Sequence, residues 1–194
     1  MHKVLSIKNE VLRKTIHILN SVIPISLLFF RQDYVTIGVG IALALWLLLE
    51  FFRLSNKKVK GLYKRVFGRV TREFEDSSLT GASYVLLSSF IILFFFSKYV
   101  CIASLLIMSF SDTFAAIIGR IYGKTKIGTK TLEGSFAFFL TSFLIVVLMS
   151  PYISIFPALL AISLATIVEL FPINNIDDNF SVPIVCAIVM SFGI

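Results

Sequence analysis

Seven long apolar runs dominate the chain, at about 15–30, 34–52, 79–96, 100–119, 135–150, 153–171 and 180–194. Each approaches the roughly 17–25 residues that carry a helix across a bilayer. A chain of 194 residues cannot hide so many inside one water-soluble core. Hydrophobic residues make up 57 % of it and charged residues 15 %, against roughly 25 % charged in soluble domains. The runs are continuous rather than alternating, so helices are expected and barrel strands are not. The sequence therefore predicts an all-α, polytopic membrane helix bundle of about seven short transmembrane helices. The first, fifth and last runs are short for a full crossing, so six spans plus a re-entrant piece is the alternative count. One integral membrane domain covers 1–194, with loops at about 53–78, 120–134 and 172–179.

Lys and Arg set the orientation, because cytoplasmic loops beside membrane spans are enriched in them. Sixteen lie before the first run, between the second and third, or between the fourth and fifth; the other side receives only Arg31 and Lys98. The N-terminus is expected to be cytoplasmic, in the cytoplasmic membrane of a prokaryote. The net charge of +7 then describes one membrane face, and no nucleic acid is expected as a partner. The basic start imitates a signal peptide, but further spans follow and no small-residue cleavage site closes the run, so no cleavage is expected. Cys101 and Cys186 both fall inside apolar runs and suggest neither a disulfide framework nor a metal cluster.

Ionisable groups inside membrane segments are costly and mark function by default. Asp112 is the clearest. On a helix it shares one face with Ala115, Ala116, Gly119 and Gly123, a small and polar stripe suited to the bundle interior or a wet cavity. A packing seam with one buried acid is the alternative. The loop that follows, Gly119-Arg120-Ile121-Tyr122-Gly123-Lys124-Thr125-Lys126-Ile127-Gly128-Thr129-Lys130-Thr131-Leu132-Glu133-Gly134-Ser135, is dense in Gly, Lys and Thr. It feeds a new helix whose free N–H groups suit an anion, as a polyphosphate site requires. It is not a Walker A loop, because three residues rather than four separate Gly119 from Gly123.

A second constellation opens the chain: Glu10, Arg13, Lys14 and His17 share one helical face. Either a site wall or a self-satisfied salt-bridged face accounts for it. Further acids gather on the same side: Glu50, the Glu73, Glu75 and Asp76 group before Thr80-Gly81, Glu169, and Asp177-Asp178-Asn179. A hard divalent cation shared with substrate phosphates, Mg²⁺, would give them a partner. Solvated helix caps are the alternative, above all for Glu50 and Glu73–Asp76. The basic loop 53–72 carries Leu62, Val66, Val70 and Phe74 at helical spacing, as a helix lying on the membrane surface would. Anionic headgroups suffice to explain its charge, and no catalytic role is assigned to it.

These pieces, in this order, resemble the CTP-using polyprenol and diacylglycerol kinases, together with dolichol and phytol kinases. The resemblance covers nearly the whole chain. It rests on Glu10-x-x-Arg13-Lys14-x-x-His17, on Thr80-Gly81-Ala82, on Asp112 through Gly123 to Lys130-Thr131-x-Glu133-Gly134-Ser135, and on Glu169 with Asp178-Asn179 and Pro183. It implies transfer of the CTP γ-phosphoryl group to a membrane lipid alcohol. Under it, Arg120, Gly123, Lys124, Lys130, Thr131, Gly134, Arg13 and Lys14 meet the nucleotide, and Asp112, Glu133 and Asp178 hold Mg²⁺. A carboxylate or His17 orients the lipid hydroxyl; Glu10, Thr80, Gly81, Glu169 and Asn179 are further site candidates.

Phosphatidate cytidylyltransferases share a comparable middle motif and use CTP. This chain has no Lys, Arg or His after Lys130, so it lacks their basic C-terminal signature, which favours the kinase. A non-enzymatic transport protein is the remaining alternative, since acid-bearing, glycine-broken helices also suit ion pathways.

Overall fold

A computed structural model describes residues 7–171 and 176–193; positions 172–175 of the expected last loop lie outside the described residues. Every apolar run becomes a helix. The first is split into α1 (Ile7–Leu19) and α2 (Val22–Phe29), and the second is α3 (Gln32–Ser55). The basic α4 (Lys57–Phe67) follows, then a 3-10 turn at Glu73–Asp76 and α5 (Gly81–Phe95). Next, α6 (Lys98–Leu106), a π-helical turn (Ile107–Ser111) and α7 (Asp112–Ile121) run as one rod. A two-stranded hairpin, β1 (Lys126–Ile127) and β2 (Lys130–Thr131), leads into α8 (Leu132–Met149), α9 (Ile155–Leu170) and α10 (Asp178–Ser191).

Four of these segments are long and apolar enough to cross a membrane: Val11–Phe29, Gln32–Ser55, Lys98–Ile121 and Leu132–Met149. Three shorter apolar helices, α5, α9 and α10, pack with them in an all-α membrane bundle. Lengths differ from the sequence expectation at two places. The first and fifth runs reach 19 and 18 residues, because helix continues outward through Val11–Lys14 and through Leu132–Gly134, where Arg13, Lys14 and Glu133 break the apolar run in sequence.

The Lys98–Ile121 rod is the axis of the bundle. Of its most apolar stretch 61 % is buried, against 17 % for α3. Leu105, Ile107 and Met108 at its centre join Phe138 of α8, Ile162 of α9 and Cys186 of α10 in one core. Ala158, Ala161 and Ala165 are fully buried on α9; such small residues let neighbouring helices come close where lipid offers no hydrophobic drive. Large apolar groups such as Phe29, Leu45, Phe95, Leu148 and Phe156 stay exposed on the outside, the arrangement a lipid solvent favours.

Three local devices position the polar end. The π-turn re-aims the rod just before Asp112, as such bulges commonly do at functional sites; the Ser142 hydroxyl of α8 donates to Ser111 Oγ at 2.9 Å. Glycines let α7 and α8 touch backbone to backbone. A Cβ on Gly119 would sit 2.6 Å from Thr131 Oγ1, and one on Gly134 would sit 2.8 Å from the Ala115 carbonyl oxygen. Pro183 inside α10 has no N–H for the carbonyl four residues back, which is that of Asn179. The Ser88 hydroxyl of α5 donates to this oxygen at 2.8 Å, tying α5 to α10 where a bond was lost.

The basic loop folds differently from the surface helix expected. α4 stops before Gly68, so Leu62 and Val66 lie on it but Val70 and Phe74 do not. The chain turns back: Lys60 donates to the Asp76 carbonyl at 2.7 Å and Lys64 pairs with the Asp76 carboxylate at 2.5 Å.

Candidate active site

The polar ends of α1, α7, α8, α9 and α10 surround a cavity of about 1320 Å³. Single small-ligand pockets run to roughly 1,000 Å³, so this one has room for a nucleotide and a second group. Asp112, Ala115, Ala116, Gly119 and Gly123 all line it, the stripe that a 3.6-residue period places on one face of α7. Arg13 and Lys14 face it from α1, and Arg120, Lys130, Thr131 and Gly134 from α7, the hairpin and the start of α8. Glu169, Asp178 and Asn179 close it from α9 and α10.

Two ion-pair networks hold these walls together. In the first, Lys14 is buried and its ammonium contacts both the carboxylate and the carbonyl oxygen of Asp112, fixing α1 to α7 across 98 residues of chain. His17 Nε2 stands 3.5 Å from the same carboxylate and 2.5 Å from Asn179 Oδ1, so α1 also reaches α10. In the second, Lys130 donates to Glu169 Oε1 at 2.8 Å and to Asp178 Oδ2 at 2.7 Å; Ser135 supplies Glu169 Oε2 with a hydrogen bond at 2.7 Å. Burial pulls the Lys130 ammonium toward the neutral form, but the Asp178 and Glu169 carboxylates outweigh that and hold its pKa above the ordinary lysine value.

The hairpin presents Lys130 because its two-residue loop starts with Gly128 at φ +59°. Positive φ at that position is what the primed hairpin turns need and what glycine supplies without strain. Pairing of Lys126 with Thr131 and of Ile127 with Lys130 closes the hairpin, and Lys126, Lys130 and Thr131 border the cavity. Thr131 lines the wall, and its Oγ1 also caps α8 by accepting from the Gly134 N–H at 3.2 Å.

Several sequence assignments land elsewhere. Glu133 is not on the cavity wall: its carboxylate accepts the Thr125 N–H at 3.0 Å, because a side chain in the first turn of α8 lies against the loop that enters the hairpin. Lys124 is exposed and also off the wall; Lys126, two residues on, takes that place. His17 stands behind Asp112 rather than on the wall. Thr80 and Gly81 belong to a neighbouring buried cluster, where the Thr80 hydroxyl donates to Glu50 Oε1 at 2.5 Å and the Gly81 N–H to Glu75 Oε1 at 3.0 Å. Glu50 is therefore no solvated cap; it is 1 % exposed and paired with the equally buried Arg53. Glu10 lies on α1, but its side chain is outside the described residues.

For a divalent cation the fit is partial. Asp112, Glu169, Asp177 and Asp178 are hard oxygen donors on the wall. Mg²⁺ is usually held by one or two carboxylates plus substrate phosphates, so the wall suffices for a shared ion. Among the described residues, no group of three His, Cys, Asp or Glu side chains is gathered for a metal of its own.

Fold and cavity define a membrane-embedded helix bundle with a charged, polar chamber at one end. The chain is 30 % identical over 180 residues to an uncharacterized protein of Rickettsia prowazekii, covering 89 % of this chain and 88 % of that protein. It is 30 % identical over 213 residues to the CTP-dependent diacylglycerol kinase 1 of Eremothecium gossypii, covering 94 % of this chain and 67 % of that one. To the probable phytol kinase 1, chloroplastic, of Oryza sativa subsp. japonica it is 38 % identical over 136 residues, 59 % of this chain and 43 % of the relative. The chain belongs to the CTP-dependent lipid kinase family. It spans about two thirds of the Eremothecium enzyme and less than half of the rice protein. No protein-family model and no solved structure matches it.

Proposed function

We propose that this protein transfers the γ-phosphoryl group of CTP to the hydroxyl of a membrane lipid alcohol. The lipid oxygen forms the new bond to phosphorus, the bond to the β-phosphate oxygen breaks, CDP leaves, and the hydroxyl proton is released. The observation that carries the reading is the cavity. It joins Asp112 to cations from α1, α7 and the hairpin, in a chain of this family. Phosphoryl transfer demands positioning and charge neutralisation more than covalent help from the protein, and the wall is built of such groups.

Arg13, Arg120, Lys126 and Lys130 bind the triphosphate in this account, with the glycine-lined floor of α7 and α8 allowing its close approach. Asp112 and Asp178 would hold Mg²⁺ together with the phosphates, and the ion would supply charge neutralisation to the transferring phosphoryl group. Lys14 and His17 keep the Asp112 carboxylate in place, and Asn179 keeps His17. The cavity opens on the cytoplasmic side, because the arginines and lysines around it come from the loops that the positive-inside rule places there. Seven crossings with a cytoplasmic N-terminus, in one domain over 1–194, accord with that side. Diacylglycerol and phytol are the first lipid candidates, by the names of the relatives; polyprenols and dolichol follow from the sequence resemblance.

The test is a lipid panel of diacylglycerol, phytol and polyprenols in liposomes with γ-labelled CTP, beside a phosphatidate arm with α-labelled CTP. Label in one lipid alcohol supports the proposal and names the substrate. α-Label in phosphatidate, as CDP-lipid, replaces the kinase with a cytidylyltransferase. No label in either arm contradicts both.

A further inference from the structure

The cavity has a wall that the sequence reading left without a role: the strap from Arg72 to Leu79, between α4 and α5. Arg72, Phe74, Ser78 and Leu79 all line the cavity. The strap is pinned from beneath by groups with almost no contact with solvent. Arg53, 1 % exposed, donates from Nη1 to the Glu75 carbonyl at 2.9 Å and from Nη2 to the Ser78 carbonyl at 2.6 Å. Its Nε donates to Glu50 Oε2 at 2.8 Å, and its guanidinium lies 5.1 Å from the Tyr63 ring centre. Glu50 Oε1 in turn accepts from the Thr80 N–H at 3.2 Å.

Glu75 closes the strap on itself. One carboxylate oxygen accepts the Arg72 N–H at 2.8 Å and the other the Gly81 N–H at 3.0 Å. The strap therefore begins and ends on one buried carboxylate, with the Glu50–Arg53 pair beneath its middle. A buried ion pair is weak evidence for stability, since its desolvation offsets much of its Coulomb gain. What this one does is fix a loop at a cavity. At the strap's head the Arg72 guanidinium lies 5.7 Å from the Phe74 ring centre, which limits where its planar donor fork can go.

We propose that Arg72 is a phosphate-binding residue of the nucleotide site, and that Glu50 and Arg53 are positioning residues that aim it. This rests on the kinase reading above and adds a fourth element to its triphosphate cradle. A guanidinium fork matches phosphate oxygens bidentately, where an ammonium acts as a point charge. Arg72 thereby joins Arg13, Arg120, Lys126 and Lys130, which line the same cavity, around one polyanion.

The experiment measures CTP binding and lipid phosphorylation on full-length protein in detergent–lipid micelles. Arg72→Gln is expected to raise KM and Kd for CTP about 10- to 100-fold, the loss of a charge-assisted hydrogen bond, with kcat changed less. Arg72→Lys should recover part of the affinity. Arg69→Gln, in the same basic loop but off the wall, should leave both constants unchanged. Arg53→Lys, which keeps the charge but cannot hold Glu50, Glu75 and Ser78 together, should raise KM in the same direction. Added to Arg72→Gln it should cost little more, the non-additivity of two residues acting through one contact. Arg72→Gln with a CTP Kd within twofold of wild type overturns the inference while leaving the kinase reading intact. So does an Arg53→Lys effect that adds in full to that of Arg72→Gln. Wild-type protein that binds no CTP overturns both.

Discussion

Lys130 Nζ lies 2.7 Å from Asp178 Oδ2, which makes a two-strand hairpin the bridge between the N-terminal and C-terminal halves of the site. The same ammonium holds Glu169 of α9, so one lysine satisfies two acids from two helices. Loss of that cation leaves Glu169, whose side chain is 4 % exposed, as an uncompensated charge.

Lys130→Met is therefore expected to destabilise the protein by about 3 kcal/mol, the lower end for breaking a buried pair, because Lys130 itself is a quarter exposed. Thermal unfolding in detergent reads this as a lowered midpoint. The double variant Lys130→Met with Glu169→Gln should recover most of the midpoint and none of the activity. The pH dependence has a definite sign. The folded pKa of Lys130 is raised, so its contribution is complete below the ordinary value of 10.5 and fades only as pH climbs through the folded value. Between about pH 7 and 9 this group should leave stability flat.

Asp112→Asn removes the partner of Lys14, which is 2 % exposed. Activity should fall about 10²- to 10³-fold, the range for losing one well-placed electrostatic group at a reacting centre. Stability should fall too, because the ammonium stays buried without its carboxylate. Lys14→Met in the same chain should restore the thermal midpoint and leave activity low. Full activity in a folded Asp112→Asn protein would remove Asp112 from the site.

The glycines divide into two kinds. Gly134→Ala brings a Cβ within 2.8 Å of the Ala115 carbonyl and 3.0 Å of Thr131 Oγ1. The Ala115 carbonyl and the Gly119 Cα, 3.2 Å away, are backbone of α7 and cannot yield, so α7 and α8 must separate, at a cost of about 1–3 kcal/mol and with lost activity. Gly61→Ala, with nothing within 4 Å and inside α4, should stabilise by up to about 1 kcal/mol and leave turnover unchanged. Thermal midpoints and initial rates of the two variants check both statements.

Much of this arrangement is legible in the sequence because it is periodic. Helical spacing alone puts Asp112, Ala115, Gly119 and Gly123 on one face, and Arg13, Lys14 and His17 on another; the structure brings the two faces together. The rest depends on places where the period changes or where a distant loop decides. Lys126, at the start of β1, borders the cavity while Lys124 in the loop before it does not, and the start of α8 turns Glu133 to the Thr125 N–H. No helical or extended pattern read along the loop announces that switch. Arg53 reads as one more basic loop residue until the strap of residues 72–79 folds over it, and hydrogen bonds made 22 and 25 residues away leave no local signal. A two-residue strand beside Gly-Thr is also too short to stand out from a loop.

The most direct test of the account is a stoichiometry: purified protein in liposomes containing the preferred lipid alcohol, given CTP labelled on the γ-phosphate, with lipid-bound label and free CDP counted together. One CDP is expected for each labelled lipid phosphate, with loss of both in Asp112→Asn. Pyrophosphate as the released product, or CDP formed with no label in lipid, would contradict it.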